Sequence, residues 1–325
     1  MIAHLLNVTA LIAAATAGQS SVAEPRVARI RTADPHFAVK LAALFDRLPD
    51  PAICQAGELK PSSRAEALGA VNAIRAYHHL PPVEYDATAD GEVMAASLVM
   101  AAQGDLSHWP RPSWRCYSEA AAKGAGSSNL SGGVVSPHLR FDTPRDDVRD
   151  WVTDVQNVVG GTGHRRWILS PFVTRIAYGR SGWETPDGQR SGASALKIFD
   201  FASEQSVTAT LPDFVAYPFG DYPIELFEDK ALLSFSPIVD KQNKWNNLRA
   251  DLTNAKVTMS SGGEAVRTSI FAKRTDAIGY TTAIEFTADD IQPDVTYRVD
   301  IEGVVYQGRT IDYHYEFKLV GRPTS

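Results

Sequence analysis

The chain has 325 residues, 44% hydrophobic and 22% charged, an ordinary globular composition and enough length for roughly two domains, each with its own core. Its formal net charge is −6 and no dense Lys/Arg stripe interrupts it, so nothing could neutralise a row of phosphates and nucleic acid is excluded as a partner. No transmembrane segment is expected in the mature chain, because no stretch of it is long and apolar enough to span a bilayer.

The N-terminus, "MIAHLLNVTALIAAATAGQSSVAEP", has an apolar run over residues 5–17 and small residues at Ala15 and Ala17. A signal peptidase reads this pattern, which predicts a signal peptide over residues 1–23, cleaved after Ala17 or Ala23, and a secreted or periplasmic protein. Residues 24–60 read as an N-terminal extension. In an exported chain the two cysteines, Cys54 and Cys116, are most simply joined as one disulfide. Neither belongs to a close Cys pair, so they do not make a zinc site by themselves.

A first helix is predicted from about Ser63, with capping-box spacing to Glu66 and an apolar face of Leu68, Val71, Ile74 and Tyr77. A second is predicted from near Ala89 to Gln103, with Val93, Ala96 and Met100 inward and Gly104 as its C-terminal glycine. The turn "DLSHWP" then projects His108 past the helix end. A third helix opens at "DTPRDDV", where Thr143 caps, Pro144 takes the first helical position and Asp146 and Asp147 suit the positive end of the dipole. Its apolar face is read as Val148, Trp151, Val152, Val155 and Val159, with Gly160 and Gly161 ending it. "GGTGHRRWILSP" then reads as a glycine hinge into a strand whose core is Trp167, Ile168 and Leu169.

"TRIAYGRSG" and "GASALKIFDF" read as two strands joined across a Pro-Asp-Gly turn. Beyond about Ser203 the helical period disappears, and β-rich runs recur at "LLSFSP", "AKVTM", "TSIFAK", "TAIEF", "TYRVDIEG" and "TIDYHYEFKLV". In the last of these Ile311, Tyr313, Tyr315, Phe317 and Leu319 alternate with polar residues, giving one buried and one wet face. The spacing predicts an antiparallel β-sandwich of immunoglobulin-like type over residues 203–325.

In order, "AVNAIRAYHHLPPVEYD", "AAQGDLSHWP", "SSNLS", "DDVRDWVTDV" and "GTGHRRWILSP...RIAYGRS" resemble the marks of the CAP superfamily (cysteine-rich secretory, antigen 5 and pathogenesis-related proteins) in its bacterial SCP-like form. The resemblance implies a CAP domain over residues 61–202, an α-β-α sandwich within an α+β chain. It also implies a cleft tetrad of two histidines and two acids that binds a divalent metal in some members. Carried over, His108 and His164 match the histidines and Asp154 one acid, while Ser128 stands where the "GENL"-type motif has Glu. His108, Asp154 and His164 then form the candidate set for Zn²⁺ or another divalent metal, with Glu119 as a substitute acid.

Ser128 beside two histidines and Asp154 also has the composition of a hydrolytic triad. No G-x-S-x-G elbow surrounds it, and Ser127 to Asn129 reads as a turn whose side chains bond the backbone. His36, His78, His79, His138 and His314 read as packed residues. Arg165 and Arg166 are expected to divide between a solvated face and an ion pair with Asp150 or Asp154. Trp151 reads as core, and Tyr217, Phe219 and Tyr222 as a domain interface.

The leading expectation is a non-catalytic ligand-binding module for a small apolar molecule, a peptide or a cell-envelope component. One alternative is a secreted peptidase or esterase that uses His108, His164 and Asp154 with a metal-bound water or Ser128. Another is a structural or adhesive envelope protein.

Overall fold

The computed structural model describes residues 36–157, 160–201 and 211–321. The expected signal segment, Val159 and the expected domain boundary at 202/203 lie outside the described residues.

In chain order the first domain comprises α1 (Phe37–Ala43), β1 (Phe45–Arg47), β2 (Glu58–Leu59), α2 (Pro61–Tyr77), β3 (Glu84–Tyr85), α3 (Asp90–Gln103), α4 (Glu119–Gly126), β4 (Ser128–Val135), α5 (Pro144–Thr153), α6 (Gly163–Ile168), β5 (Arg175–Glu184) and β6 (Arg190–Lys197). The main sheet has the order β3-β5-β6-β4 and is antiparallel except where β3 runs parallel to β5. Alternation along β5 and β6 assigns its two faces. Ile176, Tyr178 and Leu196 join the core of α2 and α5, with Val71, Ile74, Val148, Trp151 and Val152. Ala177, Ala193 and Ala195 join Val93, Ala96, Val99 and Met100 of α3 instead. That second face is lined by small side chains, so α3 lies close: a Cβ at Gly179 would come within 2.3 Å of the Val93 backbone. The expected α-β-α sandwich is therefore formed.

Helix α3 ends as expected, with Gly104 left-handed at φ 71°. Helix α5 starts as expected too: Thr143 Oγ1 accepts from Asp146 N while the Asp146 side chain accepts from Thr143 N. Three expectations need correcting. Helix α2 begins at Pro61 with Lys60 as N-cap, and Ser63 lies inside it, donating its hydroxyl to Leu44 O at 2.9 Å instead of capping. Helix α5 stops at Thr153, where Asp154 turns left-handed, so Val155 is not on its face. The segment after the glycines is the short helix α6, not a strand; Ile168 and Leu169 are core residues, as expected, but of a helical turn. Helix α4 has no counterpart among the expected elements.

Residues 36–60 are not an appendage, since Phe37, Leu41, Leu44, Phe45 and Leu59 are buried in the same core and Cys54 is bonded to Cys116.

The second domain comprises β7 (Phe214–Tyr217), β8 (Gly220–Pro223), β9 (Leu233–Pro237), β10 (Lys256–Ser261), β11 (Glu264–Val266), β12 (Thr268–Arg274), β13 (Ala283–Ala288), β14 (Thr296–Tyr306) and β15 (Arg309–Val320). Its sheets run β12-β13-β9-β7 and β11-β10-β14-β15-β8. This is the strand order of an immunoglobulin-like sandwich whose first strand is split: β7 pairs with β9, and β8 lies parallel to β15 in the other sheet. Phe214 and Phe235 meet Tyr313 and Tyr315 across the layers, with ring centroids 5.2 to 6.4 Å apart.

The domains meet through buried polar and aromatic contacts. Tyr222 of β8 packs on Tyr77 and His78 of the first domain, and Tyr217 lies under the Arg165 guanidinium, 3.6 Å from ring centroid to Cζ. Tyr217 and Tyr222 thus take the expected interface role.

Candidate functional site: a histidine cleft beside the domain boundary

Helix α3 delivers the chain into an irregular loop that carries His108. The loop is held at its far end by the Cys54–Cys116 disulfide and by Arg115 N donating to Gln103 Oε1 at 3.0 Å. His108 is half-buried, and its Nδ1 lies 2.9 Å from Ala125 O. A carbonyl only accepts, so Nδ1 carries the proton and Nε2 keeps its lone pair. Burial moves the His108 pKa below the usual imidazole range; the Ala125 bond opposes that shift and the neighbouring His164 adds to it.

His164 stands in the first turn of α6, and Asp154 sets its geometry. With Asp154 at φ 55° the chain leaves α5 sharply, and a short aspartate tolerates that conformation better than most residues. Its carboxylate is fully buried; Oδ1 lies 2.9 Å from His164 Nδ1 and Oδ2 accepts from Arg165 N at 3.2 Å. Asn129 Nδ2 donates to His164 O at 3.0 Å, tying α6 to β4. His164 is therefore held as the Nδ1–H tautomer by a buried acid, and among the described residues neither histidine's Nε2 has a hydrogen-bond partner.

Beside the pair, Phe199 lies 5.9 Å from the His108 ring and stacks on Trp167 at 4.5 Å. Trp167 is half-buried rather than core, unlike Trp151, which is buried and donates Nε1 to Leu130 O. Phe199 was not anticipated; its only sequence signal is an aromatic directly after the second strand of the "ALKIF" run.

The other expected site residues fall elsewhere. Ser128 is fully buried at the start of β4, donating its hydroxyl to Gly124 O at 2.6 Å, and Ser127 donates likewise to Lys123 O. The reading that these side chains bond backbone holds, though Ser128 and Asn129 belong to a strand rather than a turn. Glu119 is exposed in the first turn of α4 and accepts from Tyr117 OH, away from the histidines. Near Ser127 a buried Lys197 is neutralised by Glu92 at 3.0 Å and Asp200 at 2.7 Å.

Both arginines depart from expectation. Arg165 is 1% exposed and gives its guanidinium to Val152 O, Thr153 O, Leu232 O and Ser234 Oγ, not to Asp150 or Asp154. Arg166 is also buried and reaches Asp276 and Thr281 O of the second domain. Of the five histidines read as packed, only His78 is buried; His36, His79, His138 and His314 are exposed.

The donor set fits a metal poorly. Asp154 spends both oxygens on protein hydrogen bonds, which leaves two imidazole nitrogens, and among the described residues no three His, Cys, Asp or Glu side chains are arranged to hold an ion. Asp154 acts instead as the carboxylate that orients a histidine.

The first domain is thus a three-layer α-β-α sandwich with two histidines beside its sheet, one of them held by a buried acid. A family model described as CAP, cysteine-rich secretory protein family, matches residues 68–187. The first domain is a member of the CAP superfamily, and a β-sandwich domain follows it in the chain. No curated protein matches the chain. Among the described residues no helix is long and apolar enough to cross a membrane.

Proposed function

We propose that the CAP domain binds, without turning over, a ligand that combines hydroxyl donors with an apolar face, in the cleft shared by His108 and His164. One observation carries the reading: both rings have Nδ1 fixed by protein acceptors, so both present Nε2 as a ready acceptor beside the Phe199–Trp167 stack. A hydroxyl placed between the histidines meets two acceptors, and the ligand's apolar face covers the aromatic rings. The intramolecular disulfide accords with an oxidising compartment, and we propose that the protein works after export.

A hydrolase reading has one observation in its favour, the buried carboxylate orienting His164 as in a general-base pair. Its candidate serine nucleophile does not fit that role, since Ser128 is buried and its hydroxyl is committed to Gly124 O.

The test is a thermal-shift screen of sterols, long-chain alcohols and oligosaccharides on the full chain, followed by calorimetry on any hit. Binding should weaken at least tenfold in His108→Ala and in His164→Ala. A panel without hits, or a hit bound equally well by both variants, defeats the reading.

A further inference from the structure

The aromatic stack beside the histidines does not end at the edge of the CAP domain. Trp167 meets Tyr280 of the β-sandwich edge-on at 5.4 Å, and Tyr280 meets Trp245 at 5.2 Å with an interplanar angle of 88°. Tyr280 OH donates to Phe199 O at 3.0 Å, which fixes this junction across the domain boundary. At its outer end Trp245 is 51% exposed, an uncommon amount for an indole with no partner to cover it.

A second and independent observation lies at the same place. Lys244 is 5% exposed, and its ammonium stands 4.4 Å from the Tyr280 centroid and 5.2 Å from that of Trp245. Among the described residues this nitrogen makes neither an ion pair nor a hydrogen bond. The ammonium keeps some access to solvent, and its contacts with the two ring faces are weak beside an ion pair with a carboxylate. Two carboxylates on this side, Asp200 and Asp276, are engaged by Lys197 and Arg166, each at 2.7 Å. Lys197 shows the contrast: equally buried, it has two carboxylates.

We propose that Lys244, Trp245 and Tyr280 form a subsite for an acidic sugar unit, and that with the histidine cleft they make one track for a linear acidic glycan. A pyranose has an apolar C–H face for the open indole and a hydroxylated edge, and a carboxylate on the ring completes the Lys244 ammonium. Tyr280 and Trp245, set at right angles, give such a ring both a floor and a wall. An acyl chain leaves the ammonium unanswered. An acidic peptide answers the ammonium but needs main-chain partners that these side chains do not offer. This inference rests on the ligand-binding reading of the histidine cleft and names the ligand class.

Isothermal titration of the full chain with hexagalacturonate tests it, with neutral chitohexaose and hexaglutamate run alongside. Hexagalacturonate should bind, and more weakly as salt rises. Lys244→Met, which keeps the apolar stem, should cut affinity at least tenfold and remove the salt dependence. Lys244→Arg should restore most of the binding, and the half-exposed Trp245→Ala should cut affinity at least fivefold. No uptake of hexagalacturonate, or equal uptake by wild type, Lys244→Met and Trp245→Ala, overturns the proposal. Lys244-dependent binding of hexaglutamate alone overturns the glycan assignment. If a histidine-dependent ligand is found while hexagalacturonate fails, only this extension falls; if both fail, so does the cleft reading.

Discussion

Replacing Arg165 with Leu should weaken the whole molecule and not only its cleft. The guanidinium is buried, crosses from α6 into the β-sandwich, and donates to three carbonyl oxygens and one serine hydroxyl. Charged donors make hydrogen bonds of about 1.5–3 kcal/mol each, but burying a guanidinium cancels much of that. Truncation avoids the burial cost and leaves the carbonyls of Val152, Thr153 and Leu232 without a donor, at about 1 kcal/mol or more apiece. A net loss of about 3–5 kcal/mol follows, as for other broken buried networks. In a chain of this size that is a fall in Tm of about 4–7 °C. Scanning calorimetry should show the fall and a split into two transitions, because the clamp joins two cores. Arg165→Lys should recover less than half of the loss, since a single ammonium cannot reach acceptors spread around a planar fork. A loss below about 1 kcal/mol with a single sharp transition would refute the reasoning.

Three further outcomes are expected. Asp154→Asn keeps a residue that tolerates φ 55° but has one acceptor oxygen for two donors, His164 Nδ1 and Arg165 N, so ligand affinity should fall about 10- to 100-fold with a stability loss of about 1–3 kcal/mol, read by titration and urea unfolding. Burial pushes the His78 pKa down to about 3, so the unfolded chain takes up a proton near pH 6.5 that the folded chain refuses until about pH 3. Stability is fully present above pH 6.5 and lost below it; between pH 7 and 4.5 His78→Phe should lose about 2–3 kcal/mol less than wild type in urea titrations, and equal losses would count against the assignment. Reducing Cys54–Cys116, which closes a separation of 62 residues, should cost about 4 kcal/mol in the loop-entropy model, and an unchanged urea midpoint in reductant would contradict it.

The parts of this molecule readable from its sequence are those governed by local rules. Thr143, Pro144 and Asp146 announce a helix start because capping is settled within four residues, and Gly104 marks a helix end for the same reason. β-rich runs located β9, β10 and β12 to β15 but not β7, β8 or β11, and the resemblance of short motifs pointed to His108, Asp154 and His164. What remained illegible depends on distant partners. Nothing local shows that Asp154 adopts a left-handed turn and closes α5 early, because Val155 extends the apolar pattern beyond it. Nor does "HRRW" disclose that its arginines are buried, since their acceptors include carbonyls 12 and 13 positions earlier and groups 67 to 115 positions later. Lys244 carries no signal of its own in the sequence, for its setting comes from Tyr280 of another segment.

Helix α6 also bears on how the chain can be divided. It supplies one residue to the cleft and the next two to the neighbouring sandwich, so ligand binding and domain attachment share a single turn of backbone. A CAP domain cut free before β7 would strip Arg166 of Asp276 and Thr281 O and Arg165 of Leu232 O and Ser234 Oγ, and it would bare His78 where Tyr222 had covered it. The two folds are separable in topology but not in chemistry, and a cleft measured on the isolated first domain would not be the cleft of the whole protein.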